Sequence, residues 1–114
     1  MKQVIVMRKD LNMRKGKMCA QAAHSSVQVV LMNHMYDDRI RHWLNEGMPK
    51  IVVGCNSEEE LLQLVGKARE HGLMTELIRD AGKTEFKEPT FTCCAIGPEE
   101  DSKVDKITGE LTLL

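Results

Sequence analysis

No run in these 114 residues approaches the roughly 18 consecutive apolar side chains that a membrane-spanning helix requires. Residues 2–17 are too charged and too short of apolar residues to read as a signal peptide. The closing Leu111-Thr112-Leu113-Leu114 matches no lipidation signal. Nor is there an internal repeat, a low-complexity tract or a linker, so one domain over residues 1–114 is expected. The four cysteines (Cys19, Cys55, Cys93 and Cys94) form no C-x-x-C, and His24, His34, His42 and His71 show no zinc-ligand spacing with them. Adjacent Cys93 and Cys94 would point to opposite faces of a strand, which argues against a bridge between them. Reduced, mostly buried thiols in a cytoplasmic protein are the expectation. Three phosphate or nucleophile signatures are also missing. There is no G-x-x-x-x-G-K-[ST], no G-x-G-x-x-G and no serine elbow, and Ser25 and Ser26 read as hydroxyls bonded back to helix carbonyls.

What is present is a polarised charge pattern. Residues 1–17 carry six cations (Lys2, Arg8, Lys9, Arg14, Lys15, Lys17) against Asp10, a net +5, whereas residues 18–114 carry ten cations and sixteen anions, a net −6. An acidic body with a basic N-terminal segment suits one local anion site better than a general nucleic-acid coat. Apolar content of 42% and charged content of 29% fit a globular chain able to bury a core.

Periodicity gives the elements. Gln3-Val4-Ile5-Val6-Met7 is a continuous β-branched run and reads as a buried strand. A polar loop, 8–15, precedes a helix from about Gly16 to Met32 or His34, where Met18, Ala22, Val29 and Met32 recur at helical spacing. The methionines at such spacing read as core filler, as does Trp43. Asp37 or Asp38 caps a second helix that ends before Gly47 and Pro49. Lys50 to Cys55 is a second strand, Ser57 with Glu60 a capping box for a third helix, and Gly72 its stop. Met74–Ile78 and Phe91–Ile96 are strands separated by the polar loop 79–89, and a last short helix covers about 99–107. The order predicts a three-layer α/β/α sandwich around a mixed, mainly parallel four-stranded sheet. The last two strands, if adjacent, would be antiparallel because their loop is too short for a helical crossover.

In such a sheet the loops leaving the carboxyl ends of the strands build the site. One holds Arg8, Lys9, Asp10, Arg14, Lys15 and Lys17. The other reads Arg79-Asp80-Ala81-Gly82-Lys83-Thr84. Together they supply cations, carboxylates, a hydroxyl and a helix N-terminus whose free N–H groups attract anions. Beyond that terminus, intervals of four and three residues place Lys17, Gln21 and His24 on one helix side. A cation, an amide and an imidazole converging beside a basic loop suit a phosphate-bearing substrate with a polar bond to be broken.

The segments K-G-K-M-C-A-Q-A-A-H at 15–24 and R-D-A-G-K-T at 79–84 resemble the signatures of the type 2 peptidyl-tRNA hydrolase family. The resemblance runs almost end to end, through V-I-V-M-R-K-D-L at 4–11, K-I-V-V at 50–53, E-E-E-L-L at 58–62, A-I-G-P at 95–98 and D-K-I-T-G-E-L-T-L-L at 105–114. The chain departs from the common pattern at Asn12 and Arg14, where glycines are usual. The resemblance implies a carboxylic ester hydrolase that frees tRNA from peptidyl-tRNA in translation, without cofactor or metal, in a family whose members are often homodimers. It puts the family's functional lysine, glutamine and histidine on Lys17, Gln21 and His24, and its aspartate and threonine on Asp80 and Thr84.

With that resemblance, Lys17 is read as the group stabilising an oxyanion or holding a phosphate, and Asp80 as orienting or deprotonating the attacking water. Thr84 supplies a hydrogen bond within the site. Gln21 bonds the loop or the substrate, unless it only packs. His24 is read as supporting the site more than acting in it. Arg8, Lys9, Arg14, Lys15 and Lys83 are the candidates to grip acceptor-stem phosphates, which positions a tRNA without reading its sequence. The rival reading is a non-catalytic tRNA- or RNA-binding module, whose signature would be loss of Lys17 or Asp80.

Overall fold

A computed structural model describes all 114 residues. The chain runs β1 (Lys2–Arg8), α1 (Lys15–Met32), α2 (Asp38–Asn45), β2 (Lys50–Cys55), α3 (Glu58–Glu70), β3 (Thr75–Asp80), β4 (Thr90–Glu99) and α4 (Asp101–Thr108). The strands form one sheet in the order β2-β1-β4-β3.

Strand alternation splits the core into two layers. Val4, Val6, Cys94 and Ile96 face α3 and α4, where they meet Leu61, Val65, Ala68, Val104 and Ile107. Their neighbours Ile5, Met7, Cys93 and Ala95 face the other way and pack with Val29 of α1 and Ile40 of α2. The three-layer α/β/α sandwich is therefore present, with two helices on each face. Cys93 and Cys94 lie in opposite layers and all four cysteines are free thiols. Burial raises the thiols of Cys55 and Cys93 to about 11.

The sheet is mixed, but its weight lies on the antiparallel side. Only β1 and β2 run parallel, while β4 is antiparallel to both β1 and β3. The reason is the nine-residue loop 81–89 between β3 and β4, which holds no helix and so cannot carry the chain across a face. Strand β4 then inserts between β1 and β3 and runs against each, leaving the helix-linked β1 and β2 as the single parallel pair.

Local signals explain the helix ends. Asp37 accepts from the backbone N–H of Arg39 at 2.8 Å and Ser57 from that of Glu60 at 3.0 Å. The return arm of the box differs from expectation: the Glu60 carboxylate reaches the N–H of Asn56, at 3.5 Å. Both later strands outrun their apolar cores. Arg79 and Asp80 continue β3 opposite Phe91 and Thr90, and β4 extends through Pro98 to Glu99. Trp43 is buried and donates to Pro49 O at 2.8 Å. Met7, Met13 and Met74 fill the core, but Met32 and Met35 at the end of α1 and just beyond it are exposed, against the expectation for methionine. No helix is long and apolar enough to cross a membrane.

Candidate active site at the start of α1

Three pieces of chain meet where α1 begins. The loop after β1 turns through Asn12, whose φ of 52° lies in the left-handed region that asparagine tolerates better than most residues. Helix α1 then starts at Lys15. Its N-cap, Arg14, makes no side-chain cap bond, and no acidic residue occupies the first turn. The first amides of an 18-residue helix are thus left for an incoming anion. A Cβ built on Gly16 would meet nothing within 4 Å, so the space over this turn is open.

The end of β3 supplies the counter-charge. Lys17 Nζ donates to Asp80 Oδ1 and, at 2.6 Å, to Thr84 Oγ1. Thr84 Oγ1 lies 3.1 Å and 3.3 Å from the two oxygens of Asp80. The N–H of Gly82 donates to Asp80 Oδ2 at 2.9 Å. That turn requires glycine: φ is +84°, and a Cβ there would fall 2.6 Å from the carbonyl carbon of Glu88. The Phe86 ring lies 5.8 Å from Lys17 Nζ. Only 11% of the Lys17 side chain and 6% of that of Asp80 reach solvent.

The Lys17 ammonium holds the Asp80 carboxyl below the usual carboxylate range, with help from Gly82 N–H and Thr84 and against the effect of burial. Asp80 is therefore ionised at neutral pH and a weak base. Its stronger role is geometric. It anchors two of the lysine's donors together with Thr84, and the ammonium has three to give. The third is left for a developing negative charge.

Gln21 sits one turn deeper and is buried. Its Oε1 accepts from Thr92 Oγ1 at 2.7 Å, and its main-chain oxygen accepts from Cys93 Sγ at 3.4 Å. It bonds strand β4, not the loop. Thr92, absent from the sequence-derived set, owes its direction to a bulge. Ile78 pairs with Cys93 but Arg79 with Phe91, so Thr92 is the extra residue on β4. The one available signal was a hydroxyl inside the apolar run 91–96.

His24 is exposed and makes no hydrogen bond with Lys17, Asp80 or Thr84. Seven residues of helix carry it about 10 Å along the axis from Lys17, at ~1.5 Å per residue. Among the basic residues, Arg8 is not free for phosphate. It is 8% exposed, grips Asp10 at 2.7 and 3.1 Å and donates to Phe91 O at 2.9 Å. It ties the first loop to β4 and holds Asp10 ionised. Lys9, Arg14, Lys15 and Lys83 are all exposed, but the stem of Lys9 lies over Gly54 of β2 and Lys15 borders a hollow with Val52 and Leu114, on the side of α1 away from β3. The side chain of Arg14 is 90% exposed, and Glu85 lies 3.9 Å from it.

Fold and site together define an α/β protein with a buried cation–carboxylate pair at a basic helix terminus. A profile of the family described as peptidyl-tRNA hydrolase PTH2 matches residues 1–114, and the chain belongs to that family. It is 50% identical to the peptidyl-tRNA hydrolase of Methanocaldococcus jannaschii over 115 residues and 49% identical to that of Metallosphaera sedula over 117, in each case covering 100% of both chains. The peptidyl-tRNA hydrolase of Methanothermobacter thermautotrophicus is 47% identical, again over the full length of both. Among solved structures, a protein of unknown function from Agrobacterium tumefaciens superposes with a TM-score of 0.66 over 99% of this chain and 96% of its own. At 16% identity that likeness speaks to the fold alone.

Proposed function

We infer that this chain hydrolyses the ester between a peptide and the terminal ribose of tRNA, releasing both. Family membership over the whole chain and relatives of that name at about half identity support the reading. The observation that carries the chemistry is the Lys17–Asp80–Thr84 cluster beside the uncapped start of α1.

In this mechanism a water attacks the acyl carbon, and the carbonyl oxygen becomes an oxyanion. The unspent N–H of Lys17 and the free amides of the first turn of α1 receive that charge. Asp80 keeps Lys17 aimed and accepts a hydrogen bond from the water, with Thr84 completing the frame. As the tetrahedral intermediate collapses, the bond to the ribose oxygen breaks and that oxygen takes up the proton given up by the attacking water, relayed through solvent. Gln21, fixed from below by Thr92, presents its amide toward the same end of the helix. Lys9, Arg14, Lys15 and Lys83 hold phosphates of the tRNA acceptor end, and their exposure allows them to follow a flexible single strand. His24 supports the helix face without touching the reacting atoms. The setting is translation in the cytoplasm, and the active unit is a homodimer. Light scattering that returned a single-chain mass would remove that last element.

The binding-module alternative is not favoured, because Lys17 and Asp80 are both present and paired. Release of peptide from purified peptidyl-tRNA tests the proposal. Hydrolysis is expected without added metal, and a protein that spares this substrate across the pH range is not this enzyme.

A further inference from the structure

A second feature lies on the same two elements as Lys17 and Asp80. Along α1, away from its start, an open groove of about 560 Å³ runs between the helix and β3. Its floor is the buried Ile78, and its walls carry His24, Val27, Leu31, Met32 and Arg79. Val27, Leu31 and Met32 are 54%, 75% and 68% exposed, a cost that core packing does not explain. Arg79 is the one fixed charge among these six.

We propose that this groove receives the peptide of the substrate. The proposal rests on the hydrolase reading above, which puts the scissile ester at Lys17 and requires the acyl chain to leave it in some direction. Three observations select this one. Charge divides the surface: the exposed cations Arg14 and Lys83 belong to the two loops that meet at Lys17, where the polyanionic tRNA belongs, and the apolar groove lies beyond it. The groove also begins within reach. His24 and Val27 stand about 10 and 15 Å along the helix from Lys17, distances that an extended chain covers in about three to five residues. Finally, β3 is an outer strand of the sheet with β4 as its one neighbour. The carbonyl of Met74 turns inward to Gly97 N while that of Thr75 accepts from Arg69, so alternation turns the main chain of Leu77 outward as well. An extended peptide can pair with that edge whatever its sequence, and the apolar wall favours apolar side chains.

The site thus reads peptide length and polarity through side chains that play no part in bond cleavage. The first two residues from the ester fall short of the groove. Preference should appear from about the third or fourth residue onward.

The test compares two substrates on one tRNA: an N-acetylated single aminoacyl ester and an N-acetylated apolar hexapeptidyl ester. Wild-type protein is expected to favour the hexapeptidyl substrate in kcat/KM, chiefly through a lower KM, and to lose much of that advantage when serines replace the apolar residues at peptide positions three to six. In the double variant V27S/L31S the long-over-short ratio should fall roughly fivefold or more. Both positions are exposed, and thermal unfolding of the variant checks that the fold persists. Equal kcat/KM for all three substrates in wild-type protein overturns the groove assignment and leaves the hydrolase reading standing. An unchanged ratio in a folded V27S/L31S does the same. If that variant instead changes only the mass of the particle, the groove is an interface between two copies of this chain. Inactivity of wild-type protein on every ester removes both readings.

Discussion

Lys17 and Asp80 stand 63 residues apart in sequence, on a helix and a strand of the same sandwich face, and their side chains meet in a direct hydrogen bond. The pair is nearly closed to solvent, so the attraction is little screened. Thr84 touches both members, which makes the three a unit and not a chance surface ion pair.

The pair makes stability depend on pH with a definite sign. The folded-state pKa of Asp80 is lowered, so its stabilisation is fully present above the unfolded value of about 3.9 and is lost as pH falls through the lower folded value. Asp80→Asn is therefore expected to be less stable than wild type at neutral pH. The gap should narrow on acidification below about pH 4. Urea unfolding of both proteins from pH 7 to pH 3 measures it; a gap that widens toward acid contradicts the assignment.

Thr92 holds Gln21 from beneath. Removing its hydroxyl in Thr92→Val keeps the shape but leaves the buried Gln21 oxygen without a partner, at a cost of about 1–3 kcal/mol. The same change releases the amide, so kcat should fall more than stability alone explains. Denaturant titration with parallel kinetics on T92V separates the two effects.

Much of this was legible beforehand, for physical reasons. The Ser57 cap, the strand 50–55 and the opposed faces of Cys93 and Cys94 follow from local rules that need no tertiary knowledge. The junction of the loops at 8–17 and 79–84 followed from where loops fall in an α/β sheet. Other features depend on contacts between distant residues. Arg79 and Asp80 read as loop because they are polar, yet pairing with Phe91 and Thr90 makes them strand. The bulge that turns Thr92 toward Gln21 leaves no mark in sequence. Helical spacing gave His24 the right side of α1 but not its height above Lys17. From sequence Arg8 reads as a free cation, but the carbonyl of Phe91 and the carboxylate of Asp10 hold it.

The basic residues read as phosphate candidates divide by the same criterion. Lys15→Ala, Lys83→Ala and Arg14→Ala are expected to raise KM for peptidyl-tRNA similarly whatever the tRNA sequence. Each should lower the slope of log KM against log salt by up to about one. Arg8→Ala should act differently, by loosening the first loop from β4 and lowering the unfolding midpoint. A salt titration of KM for the four variants, with melting curves, distinguishes gripping cations from the structural one.

Thr84 offers a graded test. Thr84→Ser keeps the hydroxyl and should retain most activity, whereas Thr84→Val removes it and leaves Lys17 held by Asp80 alone. A kcat loss of roughly tenfold is expected for the valine variant, the value of about one hydrogen bond in the transition state. Steady-state kinetics on the two variants checks it, and equal activity in both would remove Thr84 from the site.

The most direct measurement is single-turnover cleavage of peptidyl-tRNA by Lys17→Ala, with tRNA-substrate binding followed in the same samples. Loss of an oxyanion donor should slow cleavage by about 10²- to 10³-fold while binding changes by a few-fold at most. Cleavage at the wild-type rate, or a loss wholly accounted for by weaker binding, would contradict the role given to Lys17.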